Sequence, residues 1–408
     1  MAKMRVLSIS TLFPNPARPA FGNFVRNQML AVTEQDDVEL TMVSPVGIPP
    51  WPLSLREPYR SLAKLPATSE FPGLPVHYPQ FRTIPKVGGD TNPDRIVEAV
   101  LPLARRLHEE CPFDLLDASF FFPDGPAVAR LAAELGLPYT VKSRGADIHY
   151  WGKRPAALAQ MVEAAQGASL MLAVSEALKA DMAALGMPRE RIVVHYTGLD
   201  REAFKPVERK AARALISAIP SLHVWSEGPL LVTPGALIVR KGQALVIEAL
   251  KDLPNCHLAL AGTGENENNL RSLVASLGLK DRVQFLGHVN HDLLPQLFSA
   301  ADAIVLPSES EGLANVWVEA LACGTPIVVP DVGGARELLT SPAAGRLAAR
   351  DAGAIARAVS EILAKPPKQQ DVAEVVSGFS WDRNGAAIVD IWQRAVVATG
   401  QRPPPDKP

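Results

Sequence analysis

Two short stretches carry side chains that could act together on a charged ligand. PSESEGLANVWVEALACGTPIVVPDVGG, starting at Pro307, runs from a strand end through a glycine-containing loop into a helix beginning near Asn315. Asn is a good N-cap, and Gly324 with Pro326 ends the helix before the next strand. Free backbone N–H groups at a helix start, reinforced by the helix dipole, form an anion site. Glu311 lies in the loop and Glu319 about one turn inside the helix. A carboxylate beside an anion site is repelled unless it meets hydroxyl donors, and sugar and ribose hydroxyls are such donors. The same spacing also fits two solvated carboxylates beside an ordinary helix.

The second stretch, PGALIVRKGQALVIEAL, ends a strand at Pro234–Gly235 and opens a helix with Arg240, Lys241 and Gly242. Two cations at a helix N-terminus oppose the dipole unless a diphosphate neutralises them, although a solvated basic turn is a common alternative. ALAGTGENENN holds Gly262 and Gly264 but lacks the third glycine of a dinucleotide fingerprint, which argues against a nicotinamide cofactor. No P-loop, no Asp-x-Asp and no His/Cys cluster with metal spacing occurs, so neither a metal nor another cofactor is expected. In the first half, Gly22 would let the backbone approach a ligand, and Asn23 is placed to cap the next helix. Ser119, before the PDG turn, and Arg144, Asp147 and His149 lie in loops at strand ends. A lone histidine such as His149 is more often structural.

These residues must be held by two α/β domains. The chain has 408 residues, too many for one compact core, and 47% of them are apolar. Short β-branched runs alternate with helical patterns, as in parallel sheets covered by helices. Strands are predicted at Arg5–Ile9, Val38–Val43, Val76–Tyr78, Leu115–Asp117, Tyr139–Lys142, Leu170–Val174 and Ile192–His195. In the second half they fall at Leu230–Thr233, His257–Ala261, Val283–Leu286, Ile304–Leu306 and Ile327–Val329. The proline-crowded stretch from Pro45 to Gly89 reads as an excursion from the first domain, with a short helix near Leu53–Lys64. The organisation predicted is 1–204, 205–378, a final helix within 379–398 and a disordered tail at 399–408.

Forty-one basic against 43 acidic residues leave no concentrated basic face, which argues against nucleic-acid binding. Cys111, Cys256 and Cys323 form no CxxC pair, and neither a signal peptide nor a membrane-spanning run is apparent. A cytoplasmic protein is expected, with the Trp51–Arg60 region offering a peripheral contact at the inner membrane face. No motif specifies an oligomer.

Taken together, the motifs resemble glycosyltransferase family four, the retaining GT-B enzymes. The similarity covers most of the chain: PNPARPAFGNFV, FPDGPAVARLAAELGLPY, RGADI, and the run from PGALIVRKGQ to DVGGARELL. Its most specific part is EGLANVWVEALACGTPIVV, with a Glu-x7-Glu signature at Glu311 and Glu319. The resemblance implies two Rossmann-like domains facing a central cleft, the last helix crossing back to the first domain. It implies a nucleoside-diphosphate sugar as co-substrate and a glycan or lipid-linked acceptor, as in surface polysaccharide assembly. Glu319 would hold ribose hydroxyls and Glu311 would face the transferred sugar. Lys241 and Arg240 would neutralise the diphosphate with the amides of Leu313, Ala314 and Asn315, while Gly235, Gly264 and Gly22 would line the donor. Asn23, Ser119, Arg144, Asp147 and His149 would lie on the acceptor side. The sequence departs from the family at Ala236, where Arg is usual, and at Ser119, where many relatives have His. An epimerase or phosphorylase on the same plan, or a non-catalytic nucleotide-sugar-binding subunit, are the competing readings.

Overall fold

The computed structural model describes residues 3–84, 88–219, 222 and 224–398; the expected disordered tail, 399–408, lies outside them. The chain forms two units, the first made of residues 1–198 and 381–408 and the second of residues 199–380.

The first unit holds strands β1 (Met4–Ile9), β2 (Val38–Val43), β3 (Val46–Ile48), β4 (Thr68–Phe71), β5 (Leu74–His77), β6 (Gln80–Arg82), β7 (Leu115–Ala118), β8 (Tyr139–Ser143), β9 (Leu170–Ala173) and β10 (Ile192–Val194). Eight of them form one sheet in the order β10-β9-β8-β7-β1-β2-β5-β4, parallel except for the β4–β5 pair. The order reverses between β1 and β7, the switch point at which open α/β sheets bind ligands. The Pro45–Gly89 excursion is more ordered than its prolines led us to expect. It contains the small parallel ribbon β3–β6 and the β4–β5 hairpin. The single helix expected at Leu53–Lys64 is instead a 3-10 turn at Leu53–Leu55 followed by a short helix at Tyr59–Leu62. Proline lacks an amide donor, so Pro58 and its neighbours cut the segment into pieces of three or four residues.

The helix Trp381–Val397 belongs to the first unit. Its Ile388 and Trp392 are buried in one core with Met29, Val32 and Leu40. Gly385 permits this seat, because a Cβ there would come within 2.5 Å of the Ala31 carbonyl oxygen on the helix Asn23–Thr33.

The second unit holds β11 (Leu230–Pro234), β12 (His257–Ala261), β13 (Val283–Gly287), β14 (Ala303–Val305), β15 (Ile327–Val329) and β16 (Gly345–Leu347), the last not foreseen. The sheet is parallel throughout, in the order β13-β12-β11-β14-β15-β16. Its core is aliphatic, with Leu231, Val246, Leu258, Val305 and Val359 buried. Here the order reverses between β11 and β14. Among the described residues no helix is long and apolar enough to cross a membrane.

Candidate functional site

The loops after β11 and β14 flank the switch point of the second unit and are bound to each other. A 3-10 turn, Val239–Lys241, is followed by Gly242 at φ +73° and then by the helix Gln243–Ala249. A Cβ at Gly242 would lie 2.5 Å from the Pro307 carbonyl oxygen, so this approach requires glycine. The Glu309 amide donates to the Arg240 carbonyl at 2.8 Å, and Arg240 Nη1 donates to the Ser310 carbonyl at 2.5 Å. The contact that follows is Lys241 Nζ to Glu311 Oε1 at 2.5 Å, with side chains only 16% and 12% exposed. Arg240 Nη1 lies 4.0 Å from the same oxygen. The two loops therefore gather two cations and one carboxylate.

The helix Asn315–Ala322 begins beside this group. Asn315 is its first residue rather than its cap; Ala314 holds the cap position with no side-chain bond. Among the described residues the amides of Leu313, Ala314 and Asn315 meet no acceptor. Such free donors at a helix start can receive an anion. On the second turn, Glu319 Oε1 lies 3.6 Å from His291 Nε2. The Glu319 carboxylate beside it raises the His291 pKa above its ordinary value, and the imidazole meets Phe204 edge-on at 5.3 Å. Gly235 follows β11 and donates its amide to the Ala261 carbonyl. A Cβ at Gly264 would strike the Leu237 carbonyl at 2.3 Å, so this glycine lets the loops after β11 and β12 interlock.

In the first unit Gly22, at φ +70°, and not Asn23, occupies the N-cap position of the helix Asn23–Thr33; Asn23 Oδ1 is buried without a partner. Ser119 is fully buried and donates to Asp117, which also accepts from Ser8, Thr140 and the Trp392 indole. Asp147 is buried as well. It accepts from the Phe121, Arg144 and Gly145 amides and from Ser143 Oγ, which makes it the organiser of its loop. Arg144 donates to the Ser119 carbonyl and to Gln28 and covers the Phe24 ring. His149 pairs with Asp181 at 2.9 Å, apart from the Asp117 group. Beneath Arg144 lies a group that the sequence did not reveal. Lys142, fully buried, donates to Gln28 at 3.1 Å and to His195 Nδ1 at 2.7 Å, while His195 Nε2 donates to the Asn384 carbonyl. Burial holds the Lys142 ammonium and His195 well below their ordinary pKa values.

Residues 219–376 match the family described as glycosyl transferases group 1, and residues 26–198 match the glycosyl transferase 4-like domain. The chain belongs to the group 1 glycosyltransferases. Among relatives of this glycosyltransferase is the putative teichuronic acid biosynthesis glycosyltransferase TuaC of Bacillus subtilis, 26% identical over 94% of this chain and 97% of that one. A D-inositol 3-phosphate glycosyltransferase of Geodermatophilus obscurus is 35% identical over 53% of this chain and 51% of its own length. The uncharacterized glycosyltransferase MJ1607 of Methanocaldococcus jannaschii is 28% identical over 57% of this chain, and the match spans 61% of that protein. Several curated relatives are therefore matched over only about half their length.

Solved structures give the fold. Sucrose-phosphate synthase from Thermosynechococcus elongatus has a TM-score of 0.78 at 21% identity, over 97% of this chain and all of that one. Anabaena Alr3699/HepE in complex with UDP has 0.71 at 21% identity, over 95% and 99%. Both units of the group 1 glycosyltransferase thus carry the Rossmann-like plan of a GT-B protein. His291 could have been found from sequence, since it follows β13 at the same strand-end edge as the RKG turn. Lys142 could not, because its segment reads as an ordinary strand.

Proposed function

We propose that the protein moves a sugar from a nucleoside-diphosphate sugar to a hydroxyl of a glycan or lipid-linked acceptor, with retention, in surface polysaccharide assembly in the cytoplasm. One observation carries this reading: Lys241, Arg240, Glu311 and the free amides at Leu313–Asn315 converge on the switch point between β11 and β14. The name of TuaC and the complexes of HepE with UDP and UDP-glucose support it.

An arriving diphosphate would compete with Glu311 for Lys241, releasing the carboxylate to accept hydrogen bonds from hydroxyls of the transferred sugar. Glu319 would accept from the ribose hydroxyls. As the bond between the anomeric carbon and the diphosphate oxygen breaks, negative charge grows on the leaving group. Lys241, Arg240 and the helix amides stabilise that charge in place, without a metal. The acceptor oxygen bonds the anomeric carbon on the face just vacated, and its proton passes to the departing phosphate oxygen.

The test is a panel of nucleotide-sugars with glycan and lipid-linked acceptors, followed by nucleoside-diphosphate release and product analysis. Sugar transfer with retained configuration is the expected outcome. Epimerised donor in the absence of acceptor, or donor binding with no transfer across the whole panel, would replace this reading with an epimerase or a binding subunit.

A further inference from the structure

The proline-rich excursion of the first unit has no part in the chemistry above, yet it carries a concentrated set of unusual surface features. Trp51 is 77% exposed and Leu55 60%, and Leu53 and Ile84 are also exposed. Large apolar side chains gathered in one segment mark interaction surfaces, and Trp suits a boundary that is apolar on one side and wet on the other. The same segment is basic. Arg60 is paired with Glu57, but Arg56, Lys64 and Arg82 have no acidic partner among the described residues.

Next to Trp51, Pro50 forms part of a groove of about 540 Å³ that is also lined by Arg82, Thr83, Ile84, Arg95 and Glu98. Its two arginines come from different elements, β6 and the helix Asn92–Glu110, and Glu98 is the one acidic residue of the lining. Arg95 Nη1 donates to the Arg82 carbonyl at 3.3 Å, fixing the two arginines' segments to each other. Gln80 Nε2 donates to the Ala63 carbonyl at 3.2 Å, tying the groove strand to the turn after Tyr59–Leu62. The ribbon β3–β6 joins the same parts through Val46–Gln80 pairing.

We propose that this excursion docks the protein on an anionic lipid bilayer, with Trp51, Leu53 and Leu55 entering the interface and the Arg82–Arg95 groove receiving a phospholipid headgroup phosphate. Arginine pairs grip phosphate oxygens through paired N–H donors, and apolar neighbours favour a phosphate attached to a lipid over one free in water. The site is separate from the loops of the second unit and does not depend on the transfer reading.

The full chain is tested by flotation with phosphatidylcholine vesicles containing or lacking phosphatidylglycerol. Flotation is expected only with phosphatidylglycerol, and it should weaken with salt. Arg82→Gln and Arg95→Gln should each lower the partition coefficient about fivefold, the equivalent of one cation at a charged surface. Trp51→Ala with Leu55→Ser should lower it too, with unchanged melting temperatures in every variant. UDP binding by the second unit, read by thermal shift, should be the same throughout, which separates failure here from failure of the transfer reading. The proposal is overturned by absence of flotation with anionic vesicles, or by arginine variants that float like the parent. Flotation that needs the arginines but ignores Trp51 and Leu55 overturns it equally, since the attachment would then be electrostatic alone, with no apolar side chain entering the interface.

Discussion

Lys241 Nζ rests 2.5 Å from Glu311 Oε1, both side chains largely buried. The cation assigned to the diphosphate is thus paired with the carboxylate assigned to the sugar. Neither charge is left uncompensated in a partly desolvated loop, a situation that costs several kcal/mol when one partner of a buried pair is removed. On the proposed reading, an incoming diphosphate would exchange this pairing for its own.

Lys241→Ala should lower kcat/KM for transfer by roughly 10²–10³-fold, the range for losing one preorganised donor to a developing anion. Glu311→Gln should act differently, binding nucleoside diphosphate more tightly because Lys241 is freed while transferring sugar more slowly. Steady-state kinetics with calorimetric UDP titration separate the two. Normal turnover by Lys241→Ala would remove the residue from the mechanism.

Glu319→Ala should erase a preference for ribose. The parent should bind UDP more tightly than 2′-deoxy-UDP by about 1–3 kcal/mol, the cost of a polar group left unpaired in a site. The variant should bind both alike, as calorimetry would show.

His291 is raised in pKa chiefly by the Glu319 carboxylate, and then by nearby Asp292 and Asp200. A raised histidine stabilises the fold most fully below its unfolded value of about 6.5. That contribution disappears as pH rises through the higher folded value. Urea midpoints of the parent should fall across this window. In His291→Asn the fall should be smaller, and an identical profile would exclude the pairing.

Burial pushes the Asp124 carboxyl up to about 7, with only the Oδ2 atom bonded, from the Thr11 amide. Its protonated form is favoured in the fold, so its stabilisation is complete below about pH 4 and lost as pH rises towards 7. Asp124→Asn should flatten the decline in unfolding midpoint between about pH 4 and 7, measured against the parent.

Exhaustive EDTA treatment should leave transfer unchanged, since the proposed charge compensation comes from Lys241, Arg240 and backbone amides. Loss of activity restored by a divalent cation would require another mechanism.

Much of this was legible in the residues. β-branched runs set most strands, and glycine and proline marked the turn at Gly242 and the helix end at Gly324, because those features are local. The two Glu positions, the RKG turn and the last helix were visible for the same reason. Contacts between distant segments were not. Nothing local tells that Lys241 meets Glu311, that His291 reaches Glu319, or that Lys142 enters the core to meet His195. Asn23 and Asn315 look like caps by type, yet Gly22 and Ala314 hold those positions, since the approach of the preceding loop governs the helix start. The excursion was underestimated because strands of three or four residues carry too little periodicity to register beside so many prolines.

The helix Trp381–Val397 completes the hydrophobic centre of the first unit, although the whole second unit is encoded before it. On the ribosome, residues 199–380 are therefore synthesised in full while the earlier half still lacks the helix that covers Met29 and Val32. The internal unit can mature first, and the outer one closes only when Ile388 and Trp392 emerge. A nascent chain halted shortly before Trp381 would present that unfinished apolar surface to chaperones, so a stretch made after the whole second unit seals a core begun before it.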